Sequence, residues 1–160
     1  DLRRSRGLGD VYKRQAPGGW SQYIKKKSPL SDVYAIDILE MDRLDGVHFF
    51  LNSIEEINEI DLIHDLKGNF GLVISDIAPN ITGINAIDIE NIYELNCLTL
   101  DTAVKYLDSS NGSFIMKTFQ NSMLKNLRKK MELSFKIVQT FKPAASKKQS
   151  GEIYLYGAYK

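Results

Sequence analysis

Apolar and polar residues alternate along the chain in two distinct patterns. Short apolar runs rich in β-branched and aromatic residues predict buried strands at 33–38, 47–51, 70–76, 113–119, 135–141 and 153–159. Apolar residues spaced three and four positions apart predict helices at 20–27, 54–64, 88–107 and 123–133. Because strands alternate with helices, the pattern predicts an α/β fold with a mostly parallel central sheet, helices on both faces and an antiparallel last strand. The short link between the last two strands predicts an antiparallel pair at the sheet edge.

The first fifteen residues follow neither pattern. Residues 1–15 contain five cations and two glycines among few apolar side chains. This composition favours a flexible arm over a packed element. The whole chain has 160 residues, which is the size of one ordinary domain.

Composition excludes several classes of protein. The 21 Lys+Arg against 20 Asp+Glu give a formal charge of +1, so bulk attraction to nucleic acid is not implied. Since the chain has no run of about 18 apolar residues, no membrane span is predicted. An apolar secretory segment is also absent, and we expect a cytoplasmic protein. One cysteine, Cys97, excludes an internal disulfide and a multi-cysteine zinc site, and we expect no metal.

Three features fall at predicted strand ends, where open α/β sheets bind ligands. The turn Ala16-Pro17-Gly18-Gly19-Trp20 opens a helix whose free N–H groups can receive an anion, although many such turns are only tight turns. Asp37 ends the next strand, where an acid can accept both hydroxyls of a ribose. Asp76 ends the third strand before Pro79. The alternative for Asp37 is a helix cap or a solvated strand end, and the alternative for Asp76 is a capping residue.

Lys117 is the hardest residue to explain by structure alone. It lies inside the apolar run 113–119, and burial disfavours the charged form of an amine, so that such a lysine can act as a general base near neutral pH. The alternative is a lysine that extends its head group to water from an edge strand. Glu152, just before the last strand, is a candidate partner, or else a solvated loop acid.

These residues belong to a series of short motifs whose order can be compared with known families. Ala16-Pro17-Gly18-Gly19-Trp20 is followed by the segments 37–42, 75–80, 112–120 and 150–154, with Thr82-Gly83 and Lys142-Pro143 between them. In motif order and spacing, the chain from Ala16 to about Tyr159 resembles the FtsJ-like family of ribosomal RNA 2′-O-methyltransferases. The resemblance implies a Rossmann-like methyltransferase that uses S-adenosylmethionine, without a metal, to methylate a uridine 2′-hydroxyl in large-subunit (23S) ribosomal RNA.

The resemblance also implies cofactor-binding residues. Gly18 and Trp20 match the cofactor loop of the family, and Asp37 matches the acid that holds the cofactor ribose. Asp76 matches an acid that contacts the cofactor. The family has an acid near the adenine, and the aligned residue here is Ser53. Either Asn52 or Ser53 would replace that acid with neutral hydrogen bonds.

A catalytic group follows from the same resemblance. Lys117 matches the catalytic lysine that accepts a proton, and Asp76 and Glu152 match the acids that complete the group. In the implied reaction, Lys117 takes or steers the proton of the attacking hydroxyl while the two acids orient the amine. A lysine without nearby carboxylates would be the better base, because carboxylates favour the charged form of the amine, which cannot accept a proton.

The N-terminal end departs from the family. Members have an extra helix with a further catalytic lysine, then a first strand that ends Asp-x-Gly-Ala, whereas Tyr12-Lys13-Arg14-Gln15 stands here. Lys13 and Arg14 would be costly to bury in a central strand. We therefore expect residues 1–15 to be a non-native or disordered arm. Residues 16–160 would form a methyltransferase domain that lacks its native N-terminal helix and first strand.

Candidate RNA contacts lie near the C-terminus. Phosphates of large-subunit ribosomal RNA can be neutralised by Lys142, Lys147 and Lys148. We expect the protein to bind this RNA within the assembled large ribosomal subunit. We also expect it to act as a monomer without membrane contact. A second cluster of four cations in 125–130 is more typical of a solvated helix face.

Two other functions stay open at this stage. An NAD-dependent oxidoreductase is disfavoured because the glycine turn lacks G-x-G-x-x-G. A non-catalytic, truncated remnant that binds S-adenosylmethionine or RNA is the alternative, and it would bind the cofactor without methyl transfer.

Overall fold

The computed structural model describes residues 18–143 and 151–160. The predicted arm at 1–15 and the candidate residues Lys147 and Lys148 lie outside these ranges. The chain divides into two compact units, Asp1–His64 and Asp65–Lys160. Among the described residues, no helix is both long and apolar enough for a bilayer crossing.

The first unit is built around two parallel strands. In chain order, its elements are helix α1 (Gly19–Lys27), strand β1 (Val33–Asp37), strand β2 (Val47–Leu51), a 3₁₀ turn (Ile57–Glu59) and helix α2 (Asp61–Asp65). β1 and β2 pair from Val33 opposite Val47 to Asp37 opposite Leu51. Since the strands are parallel, their carboxyl ends lie at the same edge, and Asp37 is there.

The predicted helix at 54–64 is wrong as one element. Ile60 takes an extended backbone (ψ 97°) between the 3₁₀ turn and α2, which interrupts the helical path. Ile57 belongs to the 3₁₀ turn and the buried Ile63 to α2, so the regularly spaced isoleucines lie on two short turns and not on one helix. Periodicity alone does not distinguish one helix from two consecutive turns.

The second unit contains a four-stranded mixed sheet. Its elements are β3 (Leu72–Ser75), α3 (Asn85–Tyr106), β4 (Ser113–Phe119), α4 (Leu124–Glu132), β5 (Ile137–Phe141) and β6 (Glu152–Ala158). The strand order is β3-β4-β6-β5, with β3 parallel to β4 and β6 antiparallel to both of its neighbours. The last strand is antiparallel, as predicted. The predicted antiparallel pair of β5 and β6 is confirmed at one edge of the sheet, where β5 is the outermost strand and β6 lies between β5 and β4.

The core of this unit lies on one face of the sheet. Side chains along β4 alternate, so that Phe114, Met116 and Thr118 are buried while Ile115 and Lys117 are half-buried. α3 and α4 both pack on the buried face, and the cluster there consists of Leu100, Ala103, Leu107, Phe114, Met116, Leu127, Met131, Phe135 and Leu155. The other face of the same strands carries Lys117 of β4 together with Glu152 and Tyr154 of β6, all half-buried.

A buried polar pair fixes α3 to β4. The Asn96 side-chain amide donates to Thr118 Oγ1 over 2.6 Å, and both residues are buried. Buried polar groups are stable only when paired, so this bond sets the register of helix against strand. It lies directly beneath the backbone that carries Lys117.

Candidate functional site

The glycine turn of the first unit opens α1. Gly18 has φ 106° and precedes the first helical residue, and an added Cβ would overlap the Met41 side chain. Glycine is therefore needed both for the backbone conformation and for space. The first N–H groups of α1 have no acceptor within the helix, and no side chain of the residues that the structure describes caps them. Trp20, in the first turn, is 37% exposed.

Asp37 and Ser53 are brought to the same edge of the two-stranded sheet. Asp37 Oδ1 accepts the Leu39 N–H over 2.9 Å, and its backbone carbonyl accepts the Asn52 N–H over 3.0 Å. The Asn52 side chain in turn accepts the Ser53 N–H over 2.8 Å. The predicted ribose acid and the predicted adenine-side residue thus follow adjacent parallel strands and are joined through Asn52.

The residue types at this edge fit a polar ligand that carries vicinal hydroxyls. A carboxylate accepts two hydroxyl hydrogen bonds, the helix N-terminus offers N–H donors, and Ser53 adds a neutral donor and acceptor. One Asp37 oxygen holds Leu39, so the turn after β1 orients the carboxyl group.

The second unit brings Asp76, Lys117 and Glu152 to one end of its sheet. Ser75 pairs with Met116 across β3 and β4, so the next residues along the two parallel strands are Asp76, just past the end of β3, and Lys117, still within β4. Across β4 and β6, Lys117 pairs with Tyr154 and Phe119 pairs with Glu152. Lys117, Glu152 and Tyr154 belong to the same, half-buried face of the sheet.

Tyr154 is a site residue to which the sequence analysis gave no role. Its hydroxyl donates to Glu152 Oε1 over 2.9 Å. Burial, this hydrogen bond and the negative charges of Glu152 and Asp76 raise the pKa of Tyr154 to about 12. The phenol therefore stays protonated at neutral pH and orients Glu152. The signal in the sequence is a tyrosine two residues after an acid that begins a strand, because side chains two residues apart share a face of the sheet.

Asp88 is a second residue whose role the sequence analysis missed. It is buried and accepts hydrogen bonds from the backbone N–H and hydroxyl of Thr82, both over 2.7 Å, and from the Gly83 N–H over 3.1 Å. These bonds, led by the Thr82 N–H, keep the pKa of Asp88 below its usual value. They tie the loop that follows Asp76 to α3, which starts at Asn85 rather than at the predicted Asp88.

The remaining candidate residues are the lysines proposed to contact RNA. Lys142 is exposed and follows β5, at the same end of the sheet as Lys117 and Glu152. Lys147 and Lys148 lie outside the described residues. Within 18–143 and 151–160, no group of three or more His, Cys, Asp or Glu side chains is placed to hold a metal ion.

Replacing Tyr154 with phenylalanine is expected to lower the free energy of unfolding at pH 7 by about 2 kcal/mol, because a hydrogen bond to a carboxylate is lost. The folded pKa lies above that of a free phenol, so this contribution is complete below pH 10 and disappears as the pH rises through 12. Urea unfolding from pH 7 to pH 11 measures the difference between the two proteins.

The matched control is Tyr23→Phe, which removes a phenol oxygen from an exposed side chain. That variant should unfold at the same urea concentration as the original chain. An unchanged midpoint for Tyr154→Phe at pH 7 would show that the bond to Glu152 contributes nothing to folding.

A search of protein families matches residues 15–160 to the FtsJ-like methyltransferases. Among curated relatives, the ribosomal RNA large subunit methyltransferase E of Wigglesworthia glossinidia brevipalpis is 40% identical over 141 residues, which cover 88% of this chain and 69% of that protein. The protein of the same name from Dechloromonas aromatica is 37% identical over 144 residues, covering 88% and 70%.

Solved structures show the same likeness. A Plasmodium falciparum protein described as a ribosomal RNA methyltransferase superposes with a TM-score of 0.74 at 26% identity, over 89% of this chain and 80% of its own. A Streptococcus mutans methyltransferase, solved in complex with SAH, gives 0.54 at 12% identity over 88% and 78%, which shows the fold alone. The predicted fold class, an α/β methyltransferase fold, is confirmed.

Proposed function

Because this chain belongs to the FtsJ-like methyltransferases, we propose that it transfers the methyl group of S-adenosylmethionine to a uridine 2′-hydroxyl in 23S ribosomal RNA. The curated relatives named as large-subunit ribosomal RNA methyltransferases support the RNA substrate. The observation that carries the proposed chemistry is the convergence of Lys117, Glu152 and Asp76 around Tyr154 at one end of a sheet.

The residues for the cofactor are those of the glycine turn and the strand ends. Gly18 and Trp20 belong to the loop that binds the cofactor. Asp37 accepts hydrogen bonds from the ribose hydroxyls, and Ser53 contacts the adenine side. Asp76 has two roles, since it contacts the cofactor and belongs to the catalytic group. This assignment is supported by the residue types, because hydroxyl groups require an acceptor and the cofactor's carboxylate requires N–H donors.

The sulfonium group supplies an electrophilic methyl carbon. As the ribose oxygen bonds to that carbon, the carbon–sulfur bond breaks and the hydroxyl loses its proton. We assign the proton to the Lys117 amine, with Asp76 and Glu152 holding the amine in line. The chain's contribution is thus mainly alignment together with one proton transfer.

For RNA, we propose that Lys142, Lys147 and Lys148 contact phosphates beside the catalytic end. The formal charge of +1 supports a substrate that supplies further contacts of its own, which is the assembled large subunit rather than free RNA. On this proposal the protein acts as a monomer in the cytoplasm, where ribosomal subunits are found.

Methyl transfer to large ribosomal subunits from a strain that lacks this modification tests the proposal. With radiolabelled S-adenosylmethionine, we expect label in 23S RNA and, after nuclease digestion, 2′-O-methyluridine by mass spectrometry. Label on a base or on another nucleotide would contradict the proposed product. Calorimetric binding of S-adenosylmethionine without any transfer would favour the alternative, a non-catalytic protein that binds the cofactor or RNA.

A further inference from the structure

An exposed aromatic ring lies at the end of the catalytic row. Phe141, the last residue of β5, pairs with Tyr154 of β6, which pairs with Lys117 of β4, so the three residues form one row across three strands. Phe141 is 51% exposed and meets the Tyr156 ring edge-on, with 6.5 Å between centroids. A large apolar side chain next to polar catalytic groups can stack on a flat ligand.

Cations flank the same strand on its other side. α4 has four cations and one carboxylate, while the whole chain has a formal charge of only +1. Lys125, Arg128 and Lys129 follow helical spacing and, with Leu124 and Glu132, line a surface depression. The one carboxylate, Glu132, lies 3.8 Å from Arg128 at the far end of the depression.

Arg128 connects this helix to β5. Its guanidinium donates to Thr140 Oγ1 and to the Val138 carbonyl, at 3.5 Å for the latter. Thr140 precedes Phe141, and the exposed Lys142 follows it. One aromatic ring and three cations (Lys125, Arg128 and Lys142) therefore surround the outer strand of the sheet.

Lys130, on the same helix, forms an ion pair with α3. Its amine lies 2.8 Å from Asp101 of α3, and that hydrogen bond raises the pKa of Lys130. Lys130 is thus held against α3 by Asp101 and does not line the depression, so it provides a control cation on the same helix.

We propose that the RNA substrate leaves the catalytic end across β5, with one base stacked on Phe141 and its phosphates against Lys142, Arg128 and Lys125. This inference rests on the proposed function. An aromatic ring accepts the face of any base, and cations contact phosphates of any sequence. The surface therefore positions the strand so that one ribose meets Lys117, and it does not select the base. A basic helix alone would also suit an acidic protein, but the ring in the catalytic row favours a nucleic acid.

The test uses the full chain and measures initial methyl-transfer rates against the concentration of undermethylated large subunits. Phe141→Ala should raise KM about 10-fold with a smaller effect on kcat, because stacking contributes mainly to RNA binding. Phe141→Leu keeps an apolar contact with Tyr156 but has no aromatic face, so it should raise KM as well. Phe141→Tyr should restore KM to within about twofold.

The combined Lys125→Gln and Arg128→Gln variant should also raise KM, and it should reduce the slope of log KM against log salt concentration by about 2. Lys130→Gln, which removes a charge from the same helix, should leave both quantities unchanged. If the original chain transfers methyl groups but the Phe141 variants keep its KM, the path across β5 is refuted and the proposed function stands. If the original chain transfers none, the proposed function fails, and this inference fails with it.

Discussion

Replacing Lys117 with alanine is expected to lower kcat for methyl transfer about 10²- to 10⁴-fold, the range that a positioned acid or base contributes. Affinity for S-adenosylmethionine should stay within about threefold, because the proposed cofactor contacts are made by other residues. Rates with undermethylated large subunits and calorimetric titration of the cofactor measure the two quantities separately.

Two further variants make the result specific. Lys117→Arg keeps the positive charge but cannot accept a proton, so it should be nearly as inactive as the alanine variant. Lys160→Ala removes an amine that hydrogen-bonds Asn111 beyond the end of β6, at the opposite end of the sheet, and should retain full activity. Substantial turnover by Lys117→Ala, with normal thermal unfolding, would refute the assigned proton transfer.

Replacing Asp37 with alanine is expected to weaken S-adenosylmethionine binding about 10- to 100-fold, as charge-assisted hydrogen bonds to the ribose hydroxyls are lost. Asp37→Asn should weaken binding less, because its side-chain oxygen can still accept the Leu39 N–H and one hydroxyl. Isothermal titration of each purified variant gives the dissociation constants.

Asp42→Ala is the matched control, since Asp42 is an exposed acid of the same unit. Its cofactor affinity should equal that of the original chain. Thermal unfolding without ligand separates lost binding from a disturbed turn after β1. Unchanged affinity in a folded Asp37→Ala protein would remove Asp37 from the proposed cofactor site.

The sequence predicted most elements because their signals are local. Buried strands such as β4 are recognisable from composition alone, and α3 from its spacing. The position of β6 between β4 and β5 was not predictable, because strand order depends on pairing between distant segments rather than on any residue of β6. The error at 54–64 has a local cause, since the backbone at Ile60 is extended despite helical spacing of its neighbours.

The candidate site was predictable where a charge interrupts an apolar run. Lys117 within 113–119 and the acids at strand ends are conspicuous for this reason, and the family resemblance gave each a role that stays a prediction. Tyr154 and Phe141 were not recognised because aromatic residues are ordinary in strands. Strand pairing, and not residue type, indicates their role, because it aligns Phe141 and Tyr154 with Lys117 across three strands. Asp88 looked like the start of a helix, although its carboxylate braces the loop after Asp76.

The insertion of β6 between two earlier strands has a consequence for biosynthesis. β6 follows both of its sheet neighbours in the chain, so β4 and β5 are synthesised before the strand that separates and pairs with both. Their exposed edges must be kept from pairing wrongly, with each other or with a second nascent chain, until β6 arrives. Tyr154 and Glu152 arrive on that same strand, so assembly of the proposed catalytic end and closure of the sheet are a single late event.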